Sequence, residues 1–496
     1  MKKGILHPLM LAGTGSDVGK SILATAFCRI FKQDGYSPAP FKAQNMALNS
    51  YATPDGLEIG RAQAVQAEAA GIPCHTDMNP LLLKPNSDHT SQVVLNGKPI
   101  GNRNAYDYFH KEGKEELRQQ VNAAFDRLAT KYNPIVMEGA GSISEINLKE
   151  TDLVNLPMAR YANADVFLVA DIDRGGVFAS VYGSIMLQTP EDRKLIKGIL
   201  INKFRGDLRL FESGTKMLEE LCGIPVLGVI PYYKDIYIEE EDSVELQNKT
   251  LQAKQGKINI AVVLLRHLSN FTDFNVLERD ERVHLYYTNN TEELAKADII
   301  IIPGTKSTLS DLYELRRNGA AQAILKAHRE GTAVLGICGG YQLMGQEICD
   351  PEGVEGNISR LPGLGLLPIT TTMKKEKITR QTQFYFRNDN TLCTGYEIHM
   401  GDTRPVANVT NQPLNRTVNG ETDGYYMNDH CMGTYIHGIL DNEVVIDHLL
   451  APYTEKIKKK TFNYHTFKEE QYDKLAEHVK KYINLPLLYE ILQKND

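Results

Sequence analysis

Residues 9–21, LMLAGTGSDVGKS, decide the fold, because an apolar stretch runs directly into a glycine-rich loop that ends in a Lys-Ser pair. An amphipathic helix is expected to follow at residues 22–31, so the order is strand, loop, helix. Such a loop lets backbone N–H groups surround phosphate oxygens at a helix N-terminus. The pattern G-x-x-x-x-G-K-[ST] fails only at its first glycine, which is threonine here. The predicted nucleotide-binding residues are Gly13, Thr14, Gly15, Gly19, Lys20 and Ser21.

The end of this loop predicts both a phosphate contact and a metal ligand. Lys20 is expected to contact the terminal phosphates of ATP, and the Ser21 hydroxyl is expected to bind Mg²⁺. Carboxylates for the metal should follow neighbouring strands, as do Glu138 in PIVMEGAGS and Asp171 and Asp173 in FLVADIDRGG. Any one of these acids could equally be a solvated turn residue. The nearby phosphate loop favours a metal-binding role most for Glu138.

A second motif surrounds Cys338. In TAVLGICGGYQ (332–342) this cysteine directly follows an apolar strand and has glycines close on both sides. The arrangement predicts a sharp strand-to-helix turn that exposes a nucleophile. The helix N-terminus favours a thiolate, and backbone amides at the turn can stabilise an oxyanion. The alternative is a buried structural cysteine, which the glycines disfavour.

A cysteine nucleophile needs a base, and His437 in GTYIHG is the main candidate. His399 in GYEIHMG is its principal competitor. An orienting carboxylate would be expected two residues after the base, but Ile439 has that position. The sequence therefore predicts a Cys338–His437 dyad.

Short apolar runs alternate with helix-like segments along most of the chain, which predicts parallel sheets covered on both faces. The pattern is interrupted at residues 236–257, an acidic and then mixed polar stretch. We expect a first domain at residues 1–235 and a second at residues 258–445, with this stretch as the linker. A helical extension is expected at residues 446–496.

Composition disfavours several other classes of protein. A chain of 496 residues is expected to form several domains. Its net charge of -7 disfavours nucleic acid as a partner. No apolar run approaches the roughly 20 residues that span a bilayer, so we expect no membrane segment. The 7 cysteines have no C-x-x-C spacing, which predicts a reducing, cytoplasmic location without a disulfide framework or zinc site.

Together, the two motifs resemble a known family over nearly the whole chain. The segments around Cys338 and His437 resemble class I glutamine amidotransferase domains of the cobalamin pathway, a branch without the usual third carboxylate. The N-terminal half resembles dethiobiotin synthetase, whose phosphate loop has the same threonine. The resemblance implies an α/β protein with two doubly wound domains. The first would be a P-loop dethiobiotin-synthetase-like domain and the second a flavodoxin-like amidotransferase domain, followed by a helical C-terminal extension.

One branch of this family amidates the a and c carboxylates of a corrin, and a sister branch amidates the b, d, e and g carboxylates. The resemblance implies ATP, Mg²⁺ and glutamine as the reaction's requirements and a corrin as the small-molecule partner. It allows a homodimer. The stretches that favour the second branch are PFKAQNMALNS (40–50), EIGRAQAVQA (58–67), NPLLLKP (79–85), MEGAGSISEINL (137–148), DIDRGGVFAS (171–180), NKFRGD (202–207), RHLSNFTDF (266–274) and PGTKST (303–308).

The resemblance also implies further site residues in the first domain. Glu58 would join Ser21 and Glu138 at the metal, although Glu145 and Asp173 compete with it for the last position. The residues that would lie near the phosphates or the corrin are Lys42, Gln44 and Asn45.

Three alternatives were weighed against this interpretation. An a,c-diamide-forming relative would need substrate motifs that are not found in the chain. CTP synthase shares the two-part logic, but its long glycine-rich loop is missing here. A P-loop switch ATPase with a glutamine-sensing domain is a different class, and the intact Cys338–His437 pair disfavours it.

Overall fold

The structure is a computed structural model that describes residues 4–85, 90–104, 114–239, 250–456 and 463–493. The strands of the N-terminal half are β1 (Leu9–Gly13), β2 (Ala39–Phe41), β3 (Gln44–Met46), β4 (Ser50–Ala52), β5 (Glu58–Gly60), β6 (Leu81–Pro85), β7 (Thr90–Leu95), β8 (Lys98–Asn104), β9 (Ile135–Glu138), β10 (Asp165–Asp171), β11 (Ile196–Phe204) and β12 (Val226–Pro231). Its helices are α1 (Lys20–Gln33), α2 (Arg61–Ala70), α3 (Lys114–Ala129), α4 (Leu156–Tyr161), α5 (Val177–Met186), α6 (Pro190–Arg193) and α7 (Glu212–Cys222).

Strand β1 lies at the centre of the first sheet, whose order is β12-β11-β10-β1-β9-β2. All of these strands are parallel. Every residue of β1 is buried, as a central strand covered on both faces requires. The carboxyl ends of β1 and β9 are adjacent, so the loop after Gly13 and the side chain of Glu138 meet at one sheet edge.

The C-terminal half contains a second α/β series. Its strands are β13 (Ile258–Val263), β14 (Val283–Thr288), β15 (Ile299–Ile302), β16 (Ala333–Ile337), β17 (Glu347–Cys349), β18 (Arg360–Pro362), β19 (Ile369–Phe386), β20 (Leu392–Pro405), β21 (Asn415–Thr417), β22 (Thr422–Asp423), β23 (Tyr425–Asn428) and β24 (Cys431–Thr434). Its helices are α8 (Asn275–Arg279), α9 (Thr291–Leu294), α10 (Thr308–Arg317), α11 (Ala320–Arg329), α12 (Gly339–Leu343), α13 (Glu443–Leu450), α14 (Tyr464–Tyr482) and α15 (Leu485–Gln493).

The second main sheet has the order β14-β13-β15-β16-β24-β23. Its strands are parallel except for the edge strand β23. The first four strands follow the flavodoxin-like order, and Cys338 directly follows β16. The predicted pair of doubly wound α/β units is therefore confirmed.

The alternation of strands and helices did not predict the smaller sheets. In the second half, β19 and β20 form a long antiparallel hairpin that joins a sheet of order β18-β17-β19-β21-β22. In the first half, β3-β6-β7-β8 form one sheet and β4-β5 another.

The C-terminal helices return to the first half of the chain. Arg29 on α1 donates to Asp473 at 2.7 Å and to Glu469 at 2.9 Å, both on α14. The buried side chains of Leu475 and Val479 join the core cluster beneath α1. The predicted extension is thus helical in its described part, and it packs on the nucleotide half. No helix in the described ranges is long and apolar enough to cross a membrane.

The predicted domain limits stay predictions. Of the linker expected at residues 236–257, residues 240–249 lie outside the described part of the chain, as do residues 457–462 of the extension.

Candidate active site

Lys20 is held in place by the glycine-rich loop and by the turn after β9. Its ammonium donates to the carbonyl oxygens of Gly15 at 3.0 Å and Gly141 at 2.8 Å. A Cβ added at Gly13 would lie 2.7 Å from the Lys20 nitrogen, and Gly19 has φ +98°. Burial lowers the pKa of Lys20 to about 8, against a smaller opposing effect of a neighbouring carboxylate. A phosphate bound here would raise that pKa again and keep this lysine charged.

Thr14 forms part of the same loop through its backbone. Its N–H donates to the Val169 carbonyl at 3.0 Å, and its carbonyl accepts from the Ser142 hydroxyl at 2.9 Å. These bonds place the loop between the ends of β9 and β10. The threonine side chain is not needed for the loop to close.

Glu138 is the centre of a buried polar cluster. It accepts from the Ser21 hydroxyl at 2.8 Å, the Lys42 ammonium at 2.7 Å and the Gln66 amide at 2.8 Å. Burial alone would raise the pKa of Glu138, but the Lys42 ammonium and these hydrogen bonds hold it below its usual value. The carboxylate is therefore ionised and ready to accept a cation.

These residues fit a nucleotide-bound magnesium ion. A hydroxyl and a carboxylate are hard oxygen ligands, and Mg²⁺ commonly takes only one or two protein ligands beside substrate phosphates. The buried Oε1 of Gln66, next to Glu138, has no hydrogen-bond partner. Within the described ranges, no cluster of three His, Cys, Asp or Glu side chains forms a metal site of its own. Ser21 and Glu138 would hold the metal jointly with phosphate oxygens.

The structure does not place Glu58 in this cluster. The Glu58 carboxylate is 1% exposed and accepts from Lys84 at 2.7 Å and the Ser50 hydroxyl at 2.8 Å. Lys377, from the second half of the chain, pairs with its other oxygen. Two lysines thus pair with this acid, and its role as a metal ligand stays a prediction that this position disfavours.

Two of the three other candidate acids for the metal also pair elsewhere. Asp171 pairs with Lys203 at 3.1 Å, and Asp173 pairs with Arg205 at 2.7 Å. Glu145 faces Gly141, where an added Cβ would lie 3.1 Å from its carboxylate oxygen. Glu145 is therefore the acid of these three beside the phosphate loop.

Gln44 and Asn45 occupy different environments. Gln44 lines a cavity of about 170 Å³ together with Gly141 and Glu145, next to the phosphate loop. Asn45 is buried and donates to the Gln63 side chain at 3.1 Å. The geometry favours Gln44 over Asn45 as a residue that meets substrate.

Cys338 lies at the sharp turn that the glycines predict. Its backbone has φ 51° and ψ -110°, a strained conformation for a residue with a side chain. The next two residues must be glycine, because a Cβ at Gly339 would lie 2.7 Å from Thr305 and one at Gly340 would lie 1.8 Å from the Ile302 carbonyl. The thiol donates to the Ile398 carbonyl at 3.5 Å. This is the geometry of a nucleophile at a strand end, where the largely buried thiol lines a cavity.

His437 has a carboxylate partner, which corrects the predicted dyad. Its Nδ1 lies 2.7 Å from Oδ2 of Asp273, and the other oxygen of Asp273 accepts from the Gly438 N–H at 2.9 Å. Burial would lower the pKa of His437, but Asp273 and Cys338 raise it to about 10. Ile439, two residues after the base, has no carboxylate. The orienting acid instead lies 164 residues earlier in the chain. The arrangement is a Cys–His–Asp triad.

His399 lines the same cavity as Cys338 but is held differently. Its Nδ1 lies 3.0 Å from the Gly401 carbonyl, and its ring stacks on Tyr435 with centroids 3.7 Å apart. Its Nε2 lies 3.4 Å from the Glu397 carboxylate, a longer distance than the 2.7 Å between His437 and Asp273. The geometry favours His437 as the base.

Residues from the first half of the chain contact the segments that surround Asp273 and His437. The Asn49 side-chain oxygen accepts from the Phe271 N–H at 3.2 Å, and the Ser50 N–H donates to Asn270 at 3.0 Å. Tyr51 packs edge-on against Tyr396 at 4.6 Å. Tyr396 in turn stacks on His437 at 5.3 Å. The base and its acid are therefore positioned across the boundary between the two halves.

The cysteine faces a cavity of about 510 Å³ that both halves line. Cys338, His437 and Lys377 come from the second half, and Lys84 and Gln92 come from the first. Glutamine could enter here, and the ammonia released would form beside residues of the nucleotide half.

Sequence reasoning missed Asp273, Gln66 and Lys377. Asp273 stands in RHLSNFTDF, a stretch that was noticed only for its resemblance. An acid close to two phenylalanines, Phe271 and Phe274, was the available signal. Gln66 follows Gln63 at helical spacing in EIGRAQAVQA, but spacing does not reveal its contact with Glu138.

Comparisons with known proteins define the class first. Residues 9–245 match the model of the CobQ/CobB/MinD/ParA nucleotide binding domain. Residues 259–445 match the CobB/CobQ-like glutamine amidotransferase domain. The chain is thus a glutamine amidotransferase joined to a nucleotide-binding domain, as its two sites indicate.

Full-length relatives then identify the family. The chain is 76% identical to "Cobyric acid synthase" of Bacteroides fragilis, over 99% of each chain. It is 76% identical to the protein of that name in Phocaeicola vulgatus, over 100% of each. It is 59% identical to that of Parabacteroides distasonis, over 98% of each. This chain belongs to the cobyric acid synthase family.

Proposed function

We propose that this chain amidates the b, d, e and g carboxylates of adenosylcobyrinic acid a,c-diamide, using ATP and glutamine, to give adenosylcobyric acid. The observation that carries the proposal is the pairing of two sites in a full-length relative of the cobyric acid synthases. One is the phosphate loop around Lys20, and the other is the Cys338–His437–Asp273 triad. The same likeness favours an enzyme over a switch ATPase that senses glutamine.

The nucleotide half would activate each carboxylate. A carboxylate oxygen of the corrin attacks the terminal phosphorus of ATP, the bond to ADP breaks, and an acyl phosphate forms. Lys20 and Lys42 would neutralise charge on the transferring phosphoryl group, mainly an electrostatic task. Mg²⁺ would supply further neutralisation of the phosphate oxygens, held by Ser21 and Glu138.

The triad would release ammonia from glutamine. The Cys338 thiolate attacks the side-chain amide carbon, and backbone amides at the turn stabilise the oxyanion. His437 delivers its proton to the departing nitrogen, and Asp273 stabilises the imidazolium meanwhile. Water then cleaves the thioester to glutamate. Ammonia attacks the acyl phosphate carbon, phosphate leaves, and the amide is complete.

The proposal extends to the setting of the reaction. The chemistry consumes ATP and free glutamine, which favours a cytoplasmic enzyme. Neither nucleic acid nor a membrane has a role in it. A homodimer stays a prediction that sedimentation velocity measures. The reaction makes the chain a carbon–nitrogen ligase that hydrolyses glutamine.

The test separates the two nitrogen sources. Cys338→Ala should stop corrin amidation with glutamine and leave amidation with ammonium intact, because ammonia bypasses the triad. Cys349→Ala is the matched control, since that cysteine is half-buried on β17 and bonds only locally to Glu347. Unchanged use of glutamine by Cys338→Ala would contradict the role given to the thiol.

A further inference from the structure

A loop after β17 folds over the cavity that contains Cys338. Asp350, 1% exposed, accepts from the Val354 N–H and the Glu355 N–H, both at 2.8 Å. These bonds fix the loop so that the Glu355 side chain lines the cavity. Glu355 therefore has a defined position, although it lies in a loop.

Residues at the start of α10 hold the Glu355 carboxylate, but the positive charge near it only partly offsets its burial. It accepts from the Thr308 hydroxyl at 3.0 Å and from the Leu309 N–H at 3.2 Å. Burial raises the pKa of Glu355 to about 7, and Lys306 and the hydrogen bonds offset this only in part. A cationic group placed in the cavity would restore its full charge.

Lys306 provides the opposite charge in the same cavity. Its ammonium donates to the Gln92 side-chain oxygen at 3.1 Å, whereas Lys84 and Lys377 are bound to Glu58. Burial and those two lysines lower the pKa of Lys306 to about 7. An anionic group in the cavity would stabilise its charged form.

Glutamine carries both of the charges that would pair with these two residues. Its side-chain amide must reach the Cys338 sulfur, which leaves the α-ammonium nitrogen and the α-carboxylate carbon four bonds from the amide carbon, further out in the cavity. Glu355, Lys306 and Cys338 all line this one cavity of about 510 Å³. The ligand's zwitterionic end therefore meets one half-buried acid and one half-buried lysine.

We propose that Glu355 binds the α-ammonium of glutamine and that Lys306 binds its α-carboxylate. The assignment rests on the glutaminase activity proposed above, and it names the residues that select the substrate. Thr308 orients Glu355 and also donates to Gln342 at 3.1 Å, which connects this subsite to the helix that follows Cys338. These are binding residues, and they take no part in proton transfer.

The selectivity follows from the cost of leaving a buried charge unpaired. A hydrogen bond to a charged group contributes about 1.5–3 kcal/mol, so losing it costs about 10- to 150-fold in kcat/KM. The wild-type chain should therefore prefer glutamine by about 100-fold over two analogues. Glutaramate lacks the α-amino group, and γ-aminobutyramide lacks the α-carboxylate.

The experiment measures ammonia release from the three amides by the full-length chain. Glu355→Gln should lower kcat/KM for glutamine about 100-fold and leave that for glutaramate unchanged. Lys306→Met should lower it for glutamine and leave it unchanged for γ-aminobutyramide. Glu352→Gln is the matched control, since that exposed residue is in the same loop and pairs with Lys375 at 3.2 Å.

Amidation with ammonium reports whether each variant is folded, and it should stay at the wild-type rate. Equal losses on glutamine and glutaramate in Glu355→Gln, or no loss on glutamine, would overturn the assignment of Glu355. Equal losses on glutamine and γ-aminobutyramide in Lys306→Met, or no loss on glutamine, would overturn the assignment of Lys306. A wild-type chain that releases no ammonia from glutamine would overturn the proposed function itself, together with the subsite.

Discussion

Replacing Asp273 with Asn removes the charge that orients His437 and keeps the size of the side chain. The pKa of His437 rises from its usual 6.5 to about 10 in the folded protein. At 1.36 kcal/mol per unit, this stabilises the imidazolium by about 5 kcal/mol, net of burial. Asp273 is the larger of the two favourable causes, so its loss should remove at least half of this net effect, about 2–3 kcal/mol or on the order of 70-fold in rate.

The assay is glutamine hydrolysis followed from acid to alkaline pH. Asp273→Asn should lower kcat/KM about 70-fold. The alkaline limb of the profile reports loss of the His437 proton, so it should move from about pH 10 to nearly two units lower. Amidation with ammonium should not change, because the nucleotide half is untouched.

A matched control is Asp429→Asn. Asp429 also pairs with a histidine, His448, at 3.2 Å, but it is exposed and outside the cavity. That variant should keep the wild-type profile. A change of less than threefold in Asp273→Asn, with the alkaline limb in place, would refute the triad and restore the dyad.

Three further predictions follow from the buried contacts. Lys20→Ala should reduce corrin amidation about 100-fold or more with either nitrogen source and leave glutamine hydrolysis in place, as paired amidation and hydrolysis assays would reveal. Glu58→Gln leaves two buried lysines without their acid, so urea denaturation should give a free energy of unfolding lower by about 3 kcal/mol. The pKa of Glu58 is depressed, so its contribution is present above its unfolded value and is lost as pH falls; acid sensitivity should therefore be weaker in Glu58→Gln. Asn49→Ala removes a hydrogen bond to the backbone of the turn that carries Asp273, so glutamine hydrolysis should fall about fivefold with ammonium use unchanged. Equal losses of both activities would argue against a positioning role for Asn49.

Local chemistry made the two principal loops predictable. Gly13, Gly19 and Lys20 are close in sequence, and a phosphate loop forms from consecutive residues. The turn at Cys338 is likewise specified by the glycines beside it. Alternating strands and helices sufficed for two parallel sheets, because burial on both faces leaves a continuous apolar run.

Long-range contacts were not predictable in the same way. Asp273 lies in a short turn far earlier in the chain than His437. An acid was expected two residues after the base, and that expectation could not find it. Glu58 was assigned to the metal because of the segment it belongs to. The structure instead pairs it with Lys377 from the other half of the chain, and no spacing within one domain contains that information.

The smaller sheets show the same limit. The hairpin of β19 and β20 extends over residues 369–405. Polar residues at its exposed positions make the apolar alternation of its buried face difficult to recognise in the sequence. Yet this hairpin supplies Tyr396, which stacks on His437. Part of the active site is therefore built by an element whose sequence pattern is weak.

The most direct test of the central claim is mass spectrometry of the corrin product. The purified chain would be supplied with adenosylcobyrinic acid a,c-diamide, ATP, Mg²⁺ and glutamine labelled with heavy nitrogen in its side-chain amide. We predict a product with four new amides, each carrying the label, and no product when Cys338→Ala replaces the wild-type chain. No new amide on the a,c-diamide, with two labelled amides gained by the free acid in a parallel reaction, would contradict the proposal and assign the chain to the a,c-diamide-forming branch.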